Sequence, residues 1–265
     1  MTALLRRPEM AIAALIFVVC FGGWELIIWL LDVPPIVLPA PSDIVESMID
    51  MLGTASFAWH LGVTLYEILV GFAVGAFAGL FFGCLIGRFP LLEKSLYPYL
   101  VAFQTVPKVA LAPLVVIWFG FGVGSKIVIT AIISFFPILA NTIAGLRATP
   151  ADQIELLLAF TATRWQIFWK VQMPQALPYI MVGVDVALMM AVIGAIVGEF
   201  VSAKAGLGFL MLQKNFSMDM AGVFAILIVL SAIGVILHLA VQALRRHFIF
   251  WLDTQKSHSL ETSAQ

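Results

Sequence analysis

The chain has 265 residues, 62% of them apolar and only 11% charged, with a formal net charge of −1. An ordinary soluble domain is about 45–50% apolar and about 25% charged, so a water-soluble fold has nowhere to hide this much apolar surface and lipid must solvate part of it. The balanced charge and the lack of any Lys/Arg-rich run exclude a nucleic-acid-binding surface.

Arg6 and Arg7 precede an apolar run, 10–31, that is too long for a signal-peptide core and is followed by no small-x-small cleavage site. It reads as a retained first transmembrane helix. Five more runs, 61–86, 97–119, 127–146, 179–197 and 221–244, match the roughly 20 residues a helix needs to cross a bilayer. None shows the period-two alternation of a barrel strand. The fold class is therefore an all-α membrane protein with six transmembrane helices, one domain over 1–253 and a loose polar tail over 254–265.

With the N-terminus inside, the cytoplasmic segments hold Arg6, Arg7, Arg88, Lys94, Arg147, Arg164, Lys170, Arg245, Arg246 and Lys256. The external segments hold only Lys126, Lys204 and Lys214. That bias puts both termini in the cytoplasm. Trp29, Trp59 and Trp118 mark the outer boundary and Trp165, Trp169 and Trp251 the inner one. Cys20 and Cys84 sit inside apolar runs and read as small buried residues, with no disulfide or zinc spacing.

The external stretch 32–60 opens with Pro34, Pro35, Pro39 and Pro41. Ser42 or Asp43 then caps a short helix, with Glu46 completing a capping box. Its apolar face, Ile44, Val45, Met48, Ile49 and Leu52, suits a helix lying on the membrane or covering the bundle. The second span carries Gly71, Gly75, Gly79, Gly83 and Gly87, a groove of roughly 24 Å for close helix packing against this chain or a second copy. In the third span Pro107 and Pro113 break the hydrogen-bond ladder. Irregular backbone at membrane depth is tolerated where it is buried in protein or lines a cavity, which marks 104–108 as a gate or solute contact.

The segment 147–178 is cytoplasmic. Thr149 caps a helix with Pro150 at its first position and Asp152 in its first turn, running to about Phe160. Thr163 and Gln166 form a second capping box, and the helix they start must stop before Pro174. Two short helices with a bend near 161–163 make a rigid lever, its exposed face mixing Ile167, Phe168 and Trp169 with Glu155, Arg164 and Lys170.

Residues 155–178, ELLLAFTATRWQIFWKVQMPQALP, resemble the EAA loop of binding-protein-dependent ABC importer permeases. Glu155 matches the family glutamate, Leu156 and Leu157 replace its two alanines, and Thr161 takes its glycine position. The resemblance implies that Glu155, Leu156, Leu157, Thr161, Arg164 and Pro174 couple the bundle to an ATPase. A β-branched residue resists positive φ, so the bend is expected to use another geometry, supported by the Thr163 cap. LPAPSDIV (38–45), the glycine stripe, PKVALAPLVVIWFGFG (107–122), SFFPILANTIAGLR (134–147) and GEFVSAKAGLGFL (198–210) are similar to the nitrate/sulfonate/taurine-type permease group.

This likeness implies a type I importer bundle, MetI-like, in a bacterial inner membrane. Its implied partners are a dimer of cytoplasmic ATP-binding subunits and a second permease copy in a homodimer. A third is a periplasmic or lipid-anchored solute-binding protein docking on 32–60 and 202–220. No cofactor belongs to this chain: it contains no Gly-Lys dipeptide and so no Walker A loop, leaving ATP and Mg to the partner ATPase.

Charges inside spans are costly, which makes Glu67, Gln104, Lys108, Asp185 and Glu199 candidates for the substrate path. The alternative is a structural ion pair, Lys108 with Asp185 or Glu67. Glu25 and His238 lie nearer helix ends and snorkel or find local partners. Sulfonate-type permeases commonly carry arginine where this chain has Glu67 and Asp185; the reversal suits a neutral or cationic solute. Glu67 with QTVPKVALAPL (104–114) looks closer to permeases for thiamine-precursor pyrimidines or flavins, the alternative being a sulfonate, nitrate or aromatic acid.

Other classes fit less well. A self-sufficient secondary transporter predicts inverted repeats, and the two halves show none. An intramembrane enzyme needs a His-Glu-x-x-His helix or a similar cluster, whereas His60, His238, His247 and His258 are scattered. No catalytic residue and no metal site is assigned.

Overall fold

The computed structural model describes residues 8–202 and 204–248, helical apart from short connections. The helices are α1 (Pro8–Leu31), α2 (Pro41–Leu52), α3 (Ala55–Arg88), α4 (Pro90–Thr105), α5 (Ala112–Phe119) and α6 (Val123–Arg147). They continue with α7 (Ala151–Ala159), α8 (Arg164–Ile167), α9 (Met173–Ser202), α10 (Leu207–Phe216) and α11 (Met220–Phe248). A 3₁₀ turn occupies Lys108–Leu111 and a π turn Phe168–Gln172. Arg6, Arg7, Trp251 and the expected tail 254–265 lie outside the described residues.

Among the described residues, α3, α6, the continuous run Arg164–Ser202 and α11 are each long and apolar enough to cross a membrane. The first expected span falls on α1, whose described apolar stretch, Leu15–Leu31, is shorter than these four. The third is not one helix: Pro98–Thr105 and Lys108–Phe119 meet at 79°. Pro107 is the cause, because it has no N–H and holds Val106 extended, at φ −63° and ψ 128°. Pro113 does not break the ladder. It sits in the first turn of α5, where a missing N–H costs nothing.

The chain divides by its contacts into two compact units, Met1–Gly62 with Ala205–Ser231 and Val63–Lys204 with Ala232–Gln265. In the first, α2 starts earlier than the sequence suggests. Ala40 is its N-cap and Pro41 its first residue, so neither Ser42 nor Asp43 caps it. Asp43 reaches back to the Ala40 N–H at 3.4 Å, and Ser42 gives its backbone N–H (3.1 Å) and hydroxyl (2.7 Å) to Glu25, the local partner that carboxylate needs. Ile44 and Met51 are buried while Val45, Ile49 and Leu52 stay exposed, so α2 covers its unit with one edge only. Cys20 is exposed on α1 rather than buried.

At the start of α11, Asp219 accepts from the Gly222 N–H at 2.9 Å and pairs with Lys214 at 2.7 Å. Burial alone would raise its carboxyl, but the Lys214 and Gly222 hydrogen bonds and the lysine charge hold it below the ordinary value. This clasp is complete above the ordinary carboxylate range and is lost as pH falls through the lowered value.

In the second unit the glycines of α3 meet α6 of the same chain. A Cβ on Gly71 would lie 2.5 Å from Thr130 Cβ, on Gly79 2.8 Å from Phe135 O, and on Gly83 2.7 Å from Thr142 Cβ. The other side of α6 is equally close to α9. A Cβ on Gly194 would meet Thr130 Cα at 2.9 Å, and one on Gly145 would meet Ala176 O at 2.9 Å. Lipid offers helices no hydrophobic drive to associate, so such backbone proximity is what holds them. Apolar clusters fill the remainder: α5 lays Ala112, Val115 and Val116 on Ile129 and Ile133, and Leu146 packs with Phe168, Ala176 and Ile180.

Gly79→Ala should lower the midpoint of thermal unfolding in detergent, since overpacking costs about 1–3 kcal/mol and the obstacle is a backbone carbonyl. Gly62→Ala, where a Cβ meets nothing within 4 Å, should leave the midpoint unchanged or raise it. Equal behaviour of the two variants would contradict the close α3–α6 approach.

Candidate functional site

The segment 148–173 is built by local chemistry, though not all of it as the sequence suggests. Pro150, extended at ψ 136°, is the N-cap of α7, and Thr149 is not: its hydroxyl is buried without a hydrogen-bond partner among the described residues. Asp152 lies in the first turn and the helix closes at Phe160. Thr161 then takes φ +62°, the left-handed conformation expected to be closed to it. Two hydrogen bonds impose it, Thr161 N–H to Leu158 O at 2.9 Å and Ala162 N–H to Leu157 O at 3.0 Å. This is the Schellman pattern, with threonine at the residue usually occupied by glycine.

Thr163 and Gln166 exchange reciprocal hydrogen bonds of 3.3 and 2.8 Å and start α8. The helix does not stop before Pro174. The π turn opens the ladder just ahead of that proline, and the Met173 N–H goes back five residues to Phe168 O, so α8 runs on into α9. Ile167 and Phe168 are buried rather than exposed. The exposed apolar groups are instead Leu156, Leu158, Phe160, Trp165 and Trp169, beside exposed Glu155, Arg164 and Lys170.

Contacts from Arg88 and Gln175 bolt this lever to the bundle, and an ion pair fixes the residue at its root. The Arg88 guanidinium lies 4.6 Å from the Trp165 ring and 5.4 Å from that of Phe168. Gln175 donates to Gln153 at 2.7 Å, and Arg147, at the end of α6, binds Glu93 of α4 at 2.5 Å.

The five polar residues proposed from sequence for the substrate path do not converge. Glu67 and Glu199 are both buried, with the Lys126 charge beside both. Thr64 donates to Glu199 at 2.6 Å. Lys126 is no loop residue: its ammonium donates to Phe121 O and Gly122 O at 3.0 Å and to Ser202 O at 3.1 Å, satisfying a carbonyl at the end of α9. Asp185 pairs instead with His238 at 2.7 Å, and Gln242 meets the other ring nitrogen at 3.0 Å.

Gln104 and Lys108 stand at the break between α4 and α5, in a cleft of about 430 Å³ walled by α6 and α9. Lys108 donates to Gln104 O at 3.1 Å and lies 4.8 Å from the Phe136 ring, so the suggested Lys108–Asp185 or Lys108–Glu67 pair does not form. The acidic residues at 67 and 185 consequently do not set the charge of this cleft. Among its lining residues the charged one is Lys108. Asn141, which the sequence reading passed over, also lines it; a lone amide in the middle of an apolar span was the available signal.

Long apolar helices among the described residues, paired charges within them, a largely apolar cleft at a broken span and a bolted lever define a multi-pass membrane protein. Residues 71–249 match the family described as binding-protein-dependent transport system inner membrane component, and the chain belongs to that family. It is 36% identical to the formylaminopyrimidine transport permease protein ThiX of Halalkalibacterium halodurans, over 91% of this chain and 96% of that one. It is 35% identical to the riboflavin transport system permease protein RibX of Chloroflexus aurantiacus, over 86% and 85%. Its fold is that of a chain of the MetNI methionine ABC transporter in an inward-facing conformation, with TM-score 0.63, 21% identity, and coverage of 74% and 99%. The chain is thus a transport subunit and not itself an enzyme.

The polar cluster carries its own test. Glu67→Gln keeps a hydrogen-bonding side chain of the same size in this buried place and should retain folding. Lys126→Met leaves the carboxyl pair and the Ser202 carbonyl without their cation and should cost about 3–5 kcal/mol. Thermal unfolding in detergent ranks them; equal losses would contradict the role of Lys126 as the cation that holds this cluster together.

Proposed function

We propose that this permease forms the solute path of an ABC importer and works by alternating access, driven by ATP hydrolysis on separate subunits. Both termini lie in the cytoplasm. There the 148–173 lever seats in a cleft of an ATP-binding subunit, which holds the ATP and Mg. Two copies of the chain face each other and close the open side of the Gln104–Lys108 cleft. A solute-binding protein delivers from outside onto 32–60 and 202–220. Closure of the ATP-binding dimer draws the levers together and rotates the bundles from inward- to outward-facing.

The observation that carries this reading is the lever itself. Its bend is fixed by hydrogen bonds at Thr161 and its base by Arg88, yet it keeps Leu156, Phe160, Trp165 and Trp169 exposed. A stiff element with an apolar face left uncovered among the described residues fits a protein partner.

The solute proposed is a small nitrogen heterocycle, a thiamine-precursor pyrimidine or a flavin. The activities named for the two relatives support it, as does a cleft lined without carboxylates. Lys108 as the charge in that cleft disfavours a cation and favours, as a second reading, a sulfonate. Uptake of taurine but of no pyrimidine or flavin by the reconstituted transporter would select the second reading.

Glu155→Lys should abolish ATP-dependent uptake in proteoliposomes holding the permease, its ATPase and its binding protein, while the permease keeps its unfolding midpoint. Normal coupled uptake would count against the lever. Thr161→Gly should preserve coupling and gain about 1 kcal/mol of stability by removing left-handed strain. Thr161→Pro, unable to adopt that φ or to donate to Leu158 O, should uncouple, and coupled uptake by it would contradict the role of the bend.

A further inference from the structure

The cleft at the broken span holds unused hydrogen-bonding capacity of both kinds. The 79° bend at Pro107 brings the end of α4 over α6 and α9 and leaves Gln104 at its rim. The Gln104 side-chain amide makes no hydrogen bond among the described residues, so it offers a donor and an acceptor. Asn141 gives its amide N–H to Pro137 O at 2.8 Å, which leaves its Oδ1 as an acceptor. Lys108 uses one N–H on Gln104 O and lies against the Phe136 ring, with further N–H groups to give. Between these polar groups stand apolar walls from Ile133, Met190 and Ile193.

We infer that Gln104, Lys108 and Asn141 form a solute-contact subsite for an uncharged, planar nitrogen heterocycle bearing both donor and acceptor atoms on its edge. Apolar walls take the ring faces. The two amides read the N–H and acceptor edges, and the Lys108 ammonium donates to a ring nitrogen or carbonyl. A molecule that cannot satisfy these polar groups leaves them unpaired on binding, which is how such a site discriminates. A cation meets Lys108. An anion finds one ammonium and no second cation among the lining residues, whereas buried charge needs full compensation. The volume of about 430 Å³ lies at the small end of the roughly 300–1,000 Å³ of pockets that enclose drug-sized ligands. Glu67, Asp185 and Glu199, committed to internal partners, take no part.

This assignment rests on the transport reading above, and the experiment separates the two. The complete transporter, with its ATPase and binding protein, is reconstituted, and uptake of formylaminopyrimidine is measured per ATP hydrolysed. Gln104→Leu and Asn141→Leu should each lower that ratio about threefold to tenfold, the worth of one hydrogen bond to a neutral group. Gln104→Leu should keep the wild-type unfolding midpoint, because its amide has no structural partner. That control matters, since Asn141 also packs against Gly183 and its variant can fail through folding alone. An unaltered ratio in Gln104→Leu overturns the subsite. A loss in Lys108→Met seen with taurine but not with formylaminopyrimidine overturns the heterocycle. ATP-independent uptake by the wild-type complex removes the transport reading itself, and the subsite with it.

Discussion

The close approach of α6 to α3 on one side and α9 on the other is the constraint on which the second unit depends. Gly71, Gly79 and Gly83 admit the α6 side chains and carbonyls that any larger residue would displace, and Gly145 and Gly194 do the same toward α9. Fixing α6 fixes what it carries at successive levels. Its first turn holds Lys126 between Glu67, Glu199 and the last carbonyl of α9. Its middle offers Phe136 and Asn141 to the cleft. Its last residue, Arg147, binds Glu93 and sets the root of the lever. One helix thus joins a buried charge cluster, a solute-sized space and a mechanical arm.

Electrostatics explains why these places stay separate. A charge at membrane depth is stable only with partners at hand, and each carboxylate here has been given one. Glu67 and Glu199 share a lysine, Asp185 meets His238, and Glu25 is held by Ser42. Lys108 is treated differently, lying across an aromatic ring with one carbonyl for company. That is the arrangement of a group with capacity left for a visitor. The broken α4–α5 backbone beside it serves the same end, since exposed peptide groups at that depth require a polar lining.

Much of the fold is visible in the sequence because it follows from local rules. Run lengths mark the spans, Thr163 with Gln166 starts α8, and Pro107 breaks the third span as a proline should. The glycine spacing is visible too, but its partner is not, since periodicity says nothing about the facing helix. The failures share a cause. Thr161 adopts φ +62° because two hydrogen bonds outweigh its intrinsic preference. Pro174 continues a helix because a π turn makes room for it. Lys126 looks like a loop residue because the apolar run starts at 127, whereas α6 starts four residues earlier, at Val123, and buries that lysine beside Glu67.

Most of the functional reading reduces to whether the face of Leu156, Phe160, Trp165 and Trp169 is gripped by a nucleotide-hydrolysing subunit. The direct measurement is site-specific cross-linking from a single cysteine at position 156, in a background lacking Cys20 and Cys84, within the assembled transporter. A cross-link to the ATP-binding subunit that forms efficiently and blocks ATP-driven uptake is the predicted result. Absence of any cross-link from positions 156, 160 and 165, in a complex that still transports with ATP, would contradict the account.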